Sequence, residues 1–382
     1  MGTSDRSTLI SISKAVLAKY KDARRQLHPV HDTDLKKWAV DAARAIGIKF
    51  TASSYWIFKF KRQHRISSRK VTTRCTRRQL GTAEAIAQSA ITFRAKVLEE
   101  APKYQNNHIF NSDQSGFNYE MASTRTLSNT GEKDTMLVIN SHNKCTHSYT
   151  IQPLIDYDGN TRGKLYVCLQ EKDGRMGPQV EKTYFRAPNL EVTRSSSGKL
   201  HGSHFDRWVQ RVLLPEVSDR SLILLDSWTG QQDETSFDVF PLNRPCQRLQ
   251  IPPKTTGKTQ PLDVYYFRQW KIVSRRIDNH VQVHQVNIDL GNRDYILKKQ
   301  SLVHNQFSSH EFAPMVQYAW YKCGLRKDHP GPFKNAQQIL FPTDLGMCSV
   351  GNCQDSAFIL CSHCRCDVCF TDFFVNNHTH FS

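Results

Sequence analysis

The stretch SLILLDSWTG, residues 221–230, places four apolar side chains in a row after Ser221, then stops on Asp226 in a polar turn closed by Gly230. A continuous apolar run bounded by a turn signal is the pattern of a strand buried on both faces. Such a strand needs a sheet covered on both sides. Its ending on a carboxylate has an ordinary explanation, because Asp is a common turn residue. The rest of the chain changes the weight of that explanation.

A length of 382 residues suits two or three domains, and 38% hydrophobic content supplies at least one sizeable core. No apolar run approaches the ~18 residues of a membrane span. MGTSDRSTLI has no apolar segment of a secretory signal, and Arg6 stands where a myristoylation signal needs Ser or Thr. A soluble, intracellular chain is expected. The net charge of +17 is concentrated at one end: residues 1–80 hold 19 Lys and Arg against 5 Asp, a balance of +14. A cationic block of this density usually meets a polyanion, with nucleic acid the leading candidate.

Apolar spacing predicts helices over residues 8–28, over the stretch with Leu35, Trp38, Ala42 and Ile46 on one face, and from Thr51 or Ser53 to about His64. Asp32 or Thr33 is the expected cap of the second, and Gly47 its end. The third carries Trp56, Ile57 and Phe60 on its apolar side and Lys59, Lys61 and Arg62 among its charges. Two helices joined by a short turn, the second one basic, form a helix-turn-helix. RISSRKVTTRCTRR follows without apolar periodicity, as a basic arm for phosphates or a groove, and would also serve in nuclear import. Lys59, Lys61, Arg62, Arg65, Arg69 and Lys70 are the candidate DNA-binding residues. Residues 82–103 read as a linking helix. Strands are expected near 107–113, 134–140, 148–156, 163–169, 221–226 and 247–251. Helices are expected over 200–214, from Pro261 past Arg276, and near 294–305 and 308–322. Residues 170–199 read as a loop-rich insertion.

Three carboxylates stand at marked places in this order. Asp113 ends the first strand, Asp226 ends a later one, and Asp263 opens the long helix after Pro261. Strand ends and helix starts each favour Asp. Gathered at one point, three negative charges repel, which suggests divalent cations, and two-metal phosphoryl chemistry uses such a ligand set. TTGKT at 255–259 ends like a phosphate-binding loop, but Pro252 stands where that loop needs Gly, and nucleotide binding there is rejected.

The pieces ASSYWIFKFKRQHRISSRK, NSDQSGF, THSYTIQPLIDYDG, SLILLDSWTG, IPPKTTGKTQPLDVYYFRQWK and CSHCRCDVCF span most of the chain. Together they resemble the DDE-superfamily transposases of the pogo and Tigger kind, related to Tc-type transposases, with a CENP-B-type helix-turn-helix and a cysteine-rich tail. The resemblance implies a ribonuclease H-like core in which Asp113, Asp226 and Asp263 fall on the catalytic positions. It also implies two Mg²⁺ or Mn²⁺ ions that serve attack on DNA phosphodiesters by water and then by a 3′-hydroxyl. Two departures stand out. Little chain precedes the Trp38 helix, which reads as a shortened N-terminus. The tail reads CFTDFF, with Asp372 where family members usually carry His.

Six of eleven cysteines crowd the last 35 residues. The spacing Cys348-x4-Cys353-x7-Cys361-x2-Cys364-x4-Cys369, with Cys366, His378 and His380 besides, favours metal over disulfides. Cys348, Cys353, Cys361, Cys364, Cys369 and His378 are the candidate Zn²⁺ ligands. The spacing leaves open which four bind and whether one ion or two is held; a structural zinc is expected. The expected organisation is multidomain: an all-α helix-turn-helix domain with basic arm (1–80), a linking helix (81–106), an α/β ribonuclease H-like DDE core (107–340) and a small zinc-binding module (341–382). The expected protein is a nuclear enzyme that cleaves and joins DNA. Its partner is double-stranded DNA at transposon ends, a homodimer is compatible with the reading, and no membrane is involved. A non-catalytic, domesticated or decayed DNA-binding protein is the alternative, and a zinc-dependent protein-interaction module a third reading.

Overall fold

The computed structural model describes residues 3–71, 77–121, 126–136, 148–231 and 235–381. The chain divides into two compact units, Met1–Arg77 and Arg78–Ser382. Among the described residues no helix is long and apolar enough to cross a membrane.

The first unit holds α1 (Thr3–Arg25), α2 (Asp32–Ala45) and α3 (Ser54–Gln63). The cap of α2 is neither Asp32 nor Thr33: the helix begins at Asp32, and His31 occupies the cap position, its N–H donating to the Asp34 carboxylate at 2.7 Å. An acid in the first turn also suits the positive end of the helix dipole. Gly47, at φ +73°, follows α2 in the left-handed conformation that ends many helices. The buried stripe of α2 is Leu35, Ala39 and Ala43, one residue round from the expected face, with Trp38 and Ala42 on its flank and Ile46 exposed. The small alanines at i and i+4 face the core that Ile12 and Val16 of α1 share with Ile57 and Phe60 of α3. Ser53 caps α3 by accepting from the Trp56 N–H at 3.1 Å.

The second unit is built on a seven-stranded sheet: β1 (Ile109–Ser112), β2 (Ser115–Asn118), β3 (Ser148–Asp156), β4 (Thr161–Gln170), β5 (Leu190–Ser195), β6 (Ser221–Leu225) and β7 (Cys246–Gln250). The spatial order is β5-β4-β3-β1-β6-β7, with β2 paired to β3. β3 runs antiparallel to β1 and β4, while β4–β5, β1–β6 and β6–β7 are parallel pairs. Alternation along each strand divides the core between the two faces. Ile109, Leu222 and Leu224 pack with α4 (Arg77–Glu100), the helices Phe267–Val283, Arg293–Phe307 and Ala313–Lys322, and the cysteine-rich tail. Phe110, Ile223 and Leu225 pack against the helical segment 202–213. All five residues of β6 are buried, as its apolar run requires.

Two strands of this sheet were not expected. β2 is a short antiparallel partner for β3, and β5 lies inside the stretch read as a loop-rich insertion. The buried residues of β5 are Leu190, Thr193 and Ser195, so two of the three are polar and no apolar alternation shows. The strand expected near 134–140 lies mostly outside the described residues, and 134–136 carry no regular structure.

A buried ion pair ties helix Phe267–Val283 to helix Arg293–Phe307. Lys299 Nζ sits 2.7 Å from Asp278 Oδ1, and both side chains are wholly buried. Asp278 also accepts from the Tyr295 hydroxyl at 2.6 Å and the Met121 N–H at 3.1 Å, so its carboxylate is saturated with donors. Gln300, one residue on, accepts from Trp270 Nε1 and donates to the Tyr149 hydroxyl of β3. Removing one partner of a buried pair strands the other charge, at about 3–5 kcal/mol. Lys299→Met should lower the unfolding free energy by that order, whereas Arg207→Ala, which breaks a partly exposed pair with Glu191, should cost no more than about 1 kcal/mol. Equal effects of the two in equilibrium unfolding would show that the Lys299 pair is not a stability element.

Candidate functional site

Asp113 and Asp226 stand immediately after β1 and β6, and those strands are parallel neighbours. The pairing matches Phe110 with Ile223 and Asn111 with Leu224. Continued two residues, that register sets Asp113 beside Asp226 at the carboxyl ends of both strands. Asp263 comes from a third element, the wide helical turn Leu262–Tyr266 that leads into Phe267–Val283. The three carboxylates therefore converge from two strand ends and a helix start.

Their electrostatics follow. Burial first, then the charges of Asp263 and Asp226, hold the Asp113 carboxyl well above the usual carboxylate range. Asp263 is raised by desolvation and by Asp226, although much of its surface is open to solvent, and it shares a side-chain hydrogen bond with Asp113. The Lys271 ammonium opposes this rise at Asp263 and lies 5.1 Å from the Phe117 ring centre. Carboxyls raised by one another are carboxyls short of a counter-charge. A fully buried amide lies beside them: Gln260 sits close enough to Asp113 to favour its charged form, yet neither of its amide atoms has a hydrogen-bond partner of good geometry. The donor set and this orphaned amide fit hydrated divalent cations, which take carboxylate and water oxygens.

Asn111 holds the arrangement together and was not anticipated. Its amide donates to the Leu224 carbonyl at 2.9 Å, and its side-chain oxygen accepts a long bond from the Leu262 N–H at 3.4 Å. One buried side chain thus touches the three segments that carry the carboxylates, two residues before Asp113, two before Asp226 and one before Asp263. The available signal was an amide directly after the apolar pair Ile109 and Phe110 in the IFNS strand.

The candidate DNA-binding residues lie in the first unit. Lys59 and Arg62 are exposed on α3, Lys59 4.8 Å over the Tyr55 ring, and Arg69 and Lys70 are exposed beyond it. Arg65 takes the left-handed conformation that ends α3, at φ +51°. Lys61 is different: its ammonium lies within 2.9 Å of both Asp32 oxygens, so part of its charge is already spent on α2. Tyr55 and Phe58 share the solvent side of α3, 65% and 55% exposed, and add aromatic surface to the cationic face. A hollow of about 500 Å³ lined by Lys36, Lys37, Arg44 and Thr51 opens beside α2.

In the tail the six candidate ligands fall into two clusters rather than one. Cys348, Cys353 and Cys369 gather with Asp372, while Cys361, Cys364 and His378 gather with His380. Asp372 and His380 were not among the expected ligands. The signal for Asp372 was its place where a His was expected. Cys366 belongs to neither cluster.

The raised carboxyls give a stability test. As pH rises from the ordinary carboxylate range through the raised one, the native chain holds a proton that the unfolded chain has released, so stability falls. Asp113→Asn removes that loss. Without divalent ions the variant should melt about 2–4 °C above wild type at neutral pH and converge with it in acid. Mg²⁺ or Mn²⁺ should raise the melting temperature of wild type but not of the variant. Identical melting curves at both pH values would refute the mutual repulsion.

The family profile described as the Tc5 transposase C-terminal domain matches residues 320–381. No curated protein matches the chain. Among solved structures, the chain is similar to a Mos1 transposase paired-end complex with left transposon end, at 10% identity over 80% of both chains and a TM-score of 0.39. It is also similar to a Mos1 strand transfer complex, at 12% identity over 80% of this chain and 79% of that one with a TM-score of 0.41, and to a Mos1 mariner paired end complex with Mn, at 11% identity over 77% and 76% with a TM-score of 0.42.

Proposed function

We propose that this chain is a transposon-derived, DNA-binding enzyme of the DDE class, of the pogo and Tigger kind, that cleaves and joins DNA phosphodiesters. The observation that carries the reading is the convergence of Asp113, Asp226 and Asp263, with the raised carboxyls of Asp113 and Asp263 and the orphaned Gln260 amide beside them. A transposase C-terminal domain over residues 320–381 supports it from an independent part of the chain. The strand order, with a central β1 flanked by antiparallel β3 on one side and parallel β6 and β7 on the other, is consistent with a ribonuclease H-like core. The tail reads as a zinc-binding element, and the cationic N-terminal helices as a CENP-B-type module acting in the nucleus.

In this reading Asp113, Asp226 and Asp263 would hold two Mg²⁺ or Mn²⁺ ions, which would supply charge neutralisation for phosphodiester attack. Asp113 and Asp226 give a rigid pair, fixed by the β1–β6 register, and Asp263 closes the set from the helix start. Asn111 keeps the three segments in register. Gln260 offers an amide to a water or phosphate oxygen at the same point. Lys271, half-buried beside Asp263, is placed to meet a phosphate. DNA is held by the exposed Lys59, Arg62, Arg69 and Lys70, with Tyr55 and Phe58 against the groove wall.

Cleavage of supercoiled plasmid bearing matched ends, with Mg²⁺ or Mn²⁺, tests the chemistry. Asp226→Asn keeps the shape and removes the charge, and several kcal/mol of lost transition-state stabilisation means a fall of at least about a hundredfold. Equal nicking by both proteins would remove Asp226 from the site. A wild type that binds but never nicks would favour the non-catalytic, domesticated alternative. For binding, Lys59→Glu with Arg62→Glu should reduce the slope of log affinity against log salt by about 0.9 for each phosphate that is no longer neutralised. An unchanged slope in a titration from low to high salt would place the DNA interface elsewhere.

A further inference from the structure

We infer that residues 348–380 hold two zinc-class divalent ions in cross-braced sites, with Asp372 completing one and His380 the other. This rests on the reading of the tail as metal-binding and addresses what the spacing left open, the number of ions and the ligands of each.

The geometry comes first. Within each cluster the ligand atoms all lie within 4.8 Å of one another. A tetrahedral ion with bonds of about 2.3 Å to sulfur and 2.0–2.1 Å to nitrogen spaces its ligands about 3.8 Å apart for two sulfurs, roughly 3.6 Å for sulfur and nitrogen, and roughly 3.3 Å for two nitrogens. Cys353 and Cys369 have their sulfurs 3.8 Å apart, Cys364 Sγ lies 3.4 Å from His378 Nε2, and the two histidine Nε2 atoms lie 3.1 Å apart. Asp372 Oδ2 is 3.2 Å from both Cys348 Sγ and Cys369 Sγ. A disulfide would need about 2.05 Å between sulfurs. The spacings are those of ligand edges around a shared centre.

Order along the chain then fixes the topology. Cys348 and Cys353 belong to the first site, Cys361 and Cys364 to the second, Cys369 and Asp372 to the first again, and His378 and His380 to the second. Alternate pairs share a site, so each ion closes a loop that the other interrupts. Neither site is formed by a contiguous stretch, and each braces the other.

The surrounding hydrogen bonds orient the ligands, as around occupied metal sites. In the first site the Cys369 N–H points to Cys348 Sγ at 3.2 Å and the Asp372 N–H to Cys369 Sγ at 3.3 Å. Asn376 donates to the far oxygen of Asp372 at 2.8 Å, turning Oδ2 toward the sulfurs. The second site is anchored on the last turn of helix Arg293–Phe307. Gln306 donates to Cys361 Sγ at 3.5 Å and accepts from the Ser362 N–H at 2.8 Å, and Asn305 exchanges two hydrogen bonds with the His380 backbone. One site thus depends on the core helix, while the hydrogen bonds of the other stay within the tail.

Elemental analysis of the purified full-length chain tests this. Two zinc ions per chain are expected, falling to one in Asp372→Ala and to one in His380→Ala. Asp372→His should keep two, which separates lost ligation from lost folding. With Co²⁺ in place of zinc, emptying the first site should remove more thiolate charge-transfer absorption than emptying the second, in the ratio of three thiolates to two. One ion in wild type would overturn the paired sites while leaving the tail metal-binding. No ion would overturn both readings. Two ions retained in either alanine variant would overturn the assignment of that ligand.

Discussion

The parallel pairing of β1 with β6 is the constraint on which the second unit depends. It forms where two short buried strands meet, IFNS and SLILL, each of which can satisfy its backbone only in a sheet interior. Because the pair is parallel, both chains leave the sheet at the same end, and the two residues that follow are Asp113 and Asp226. Antiparallel pairing would have sent them to opposite ends of the strands. The register decides the rest, since a slip of one residue would turn every side chain to the other face of the sheet. Asn111 guards that register with a side-chain bond to the Leu224 carbonyl, and its bond to the Leu262 N–H extends the constraint to the segment carrying Asp263.

Helix Arg293–Phe307 carries a second constraint, from the sheet to the tail. Lys299 and Gln300 fix it to Asp278 and to Tyr149 of β3 through buried polar contacts. At its far end Gln306 holds the Cys361 sulfur and the Ser362 N–H, and Asn305 the backbone of His380. Phe373 and Phe374 of the tail enter the same hydrophobic cluster as the sheet. The tail is therefore packed as part of the unit that contains the carboxylates, and its order and theirs share one helix.

Charge is distributed in two opposite ways. The first unit spreads cations over exposed surface, where each is solvated and costs little to keep. Its shortest ion pair among the described residues, Lys61 with Asp32, joins α3 to α2. The second unit gathers anions at a partly dry point, where burial and the neighbouring charges raise the proton affinity of Asp113 and Asp263. A chain that keeps such a cluster with too little cationic charge nearby to quench it carries a standing destabilisation, which bound divalent ions would relieve.

Much of this was legible along the sequence, for local reasons. An unbroken apolar run announced β6, helical spacing announced α1 and α3, and the charge balance marked the cationic end, because hydrophobic periodicity and charge are properties of neighbouring residues. Asp113, Asp226 and Asp263 were noticeable as strand ends and a helix start. β5 was hidden, since two of its three buried residues are polar, and the buried stripe of α2 was displaced by one residue because packing selected Ala39 and Ala43 over Trp38 and Ala42. What tertiary structure alone decided is partnership. Asn111 became a clamp only when Leu224 and Leu262 were brought to it across more than a hundred residues, and Lys61 acquired a partner only when α3 met α2. The cysteines and histidines of the tail were plain in the sequence, but their division into two interleaved sets, with Asp372 and His380 as members, depends on how the chain crosses itself, which spacing along the chain does not encode.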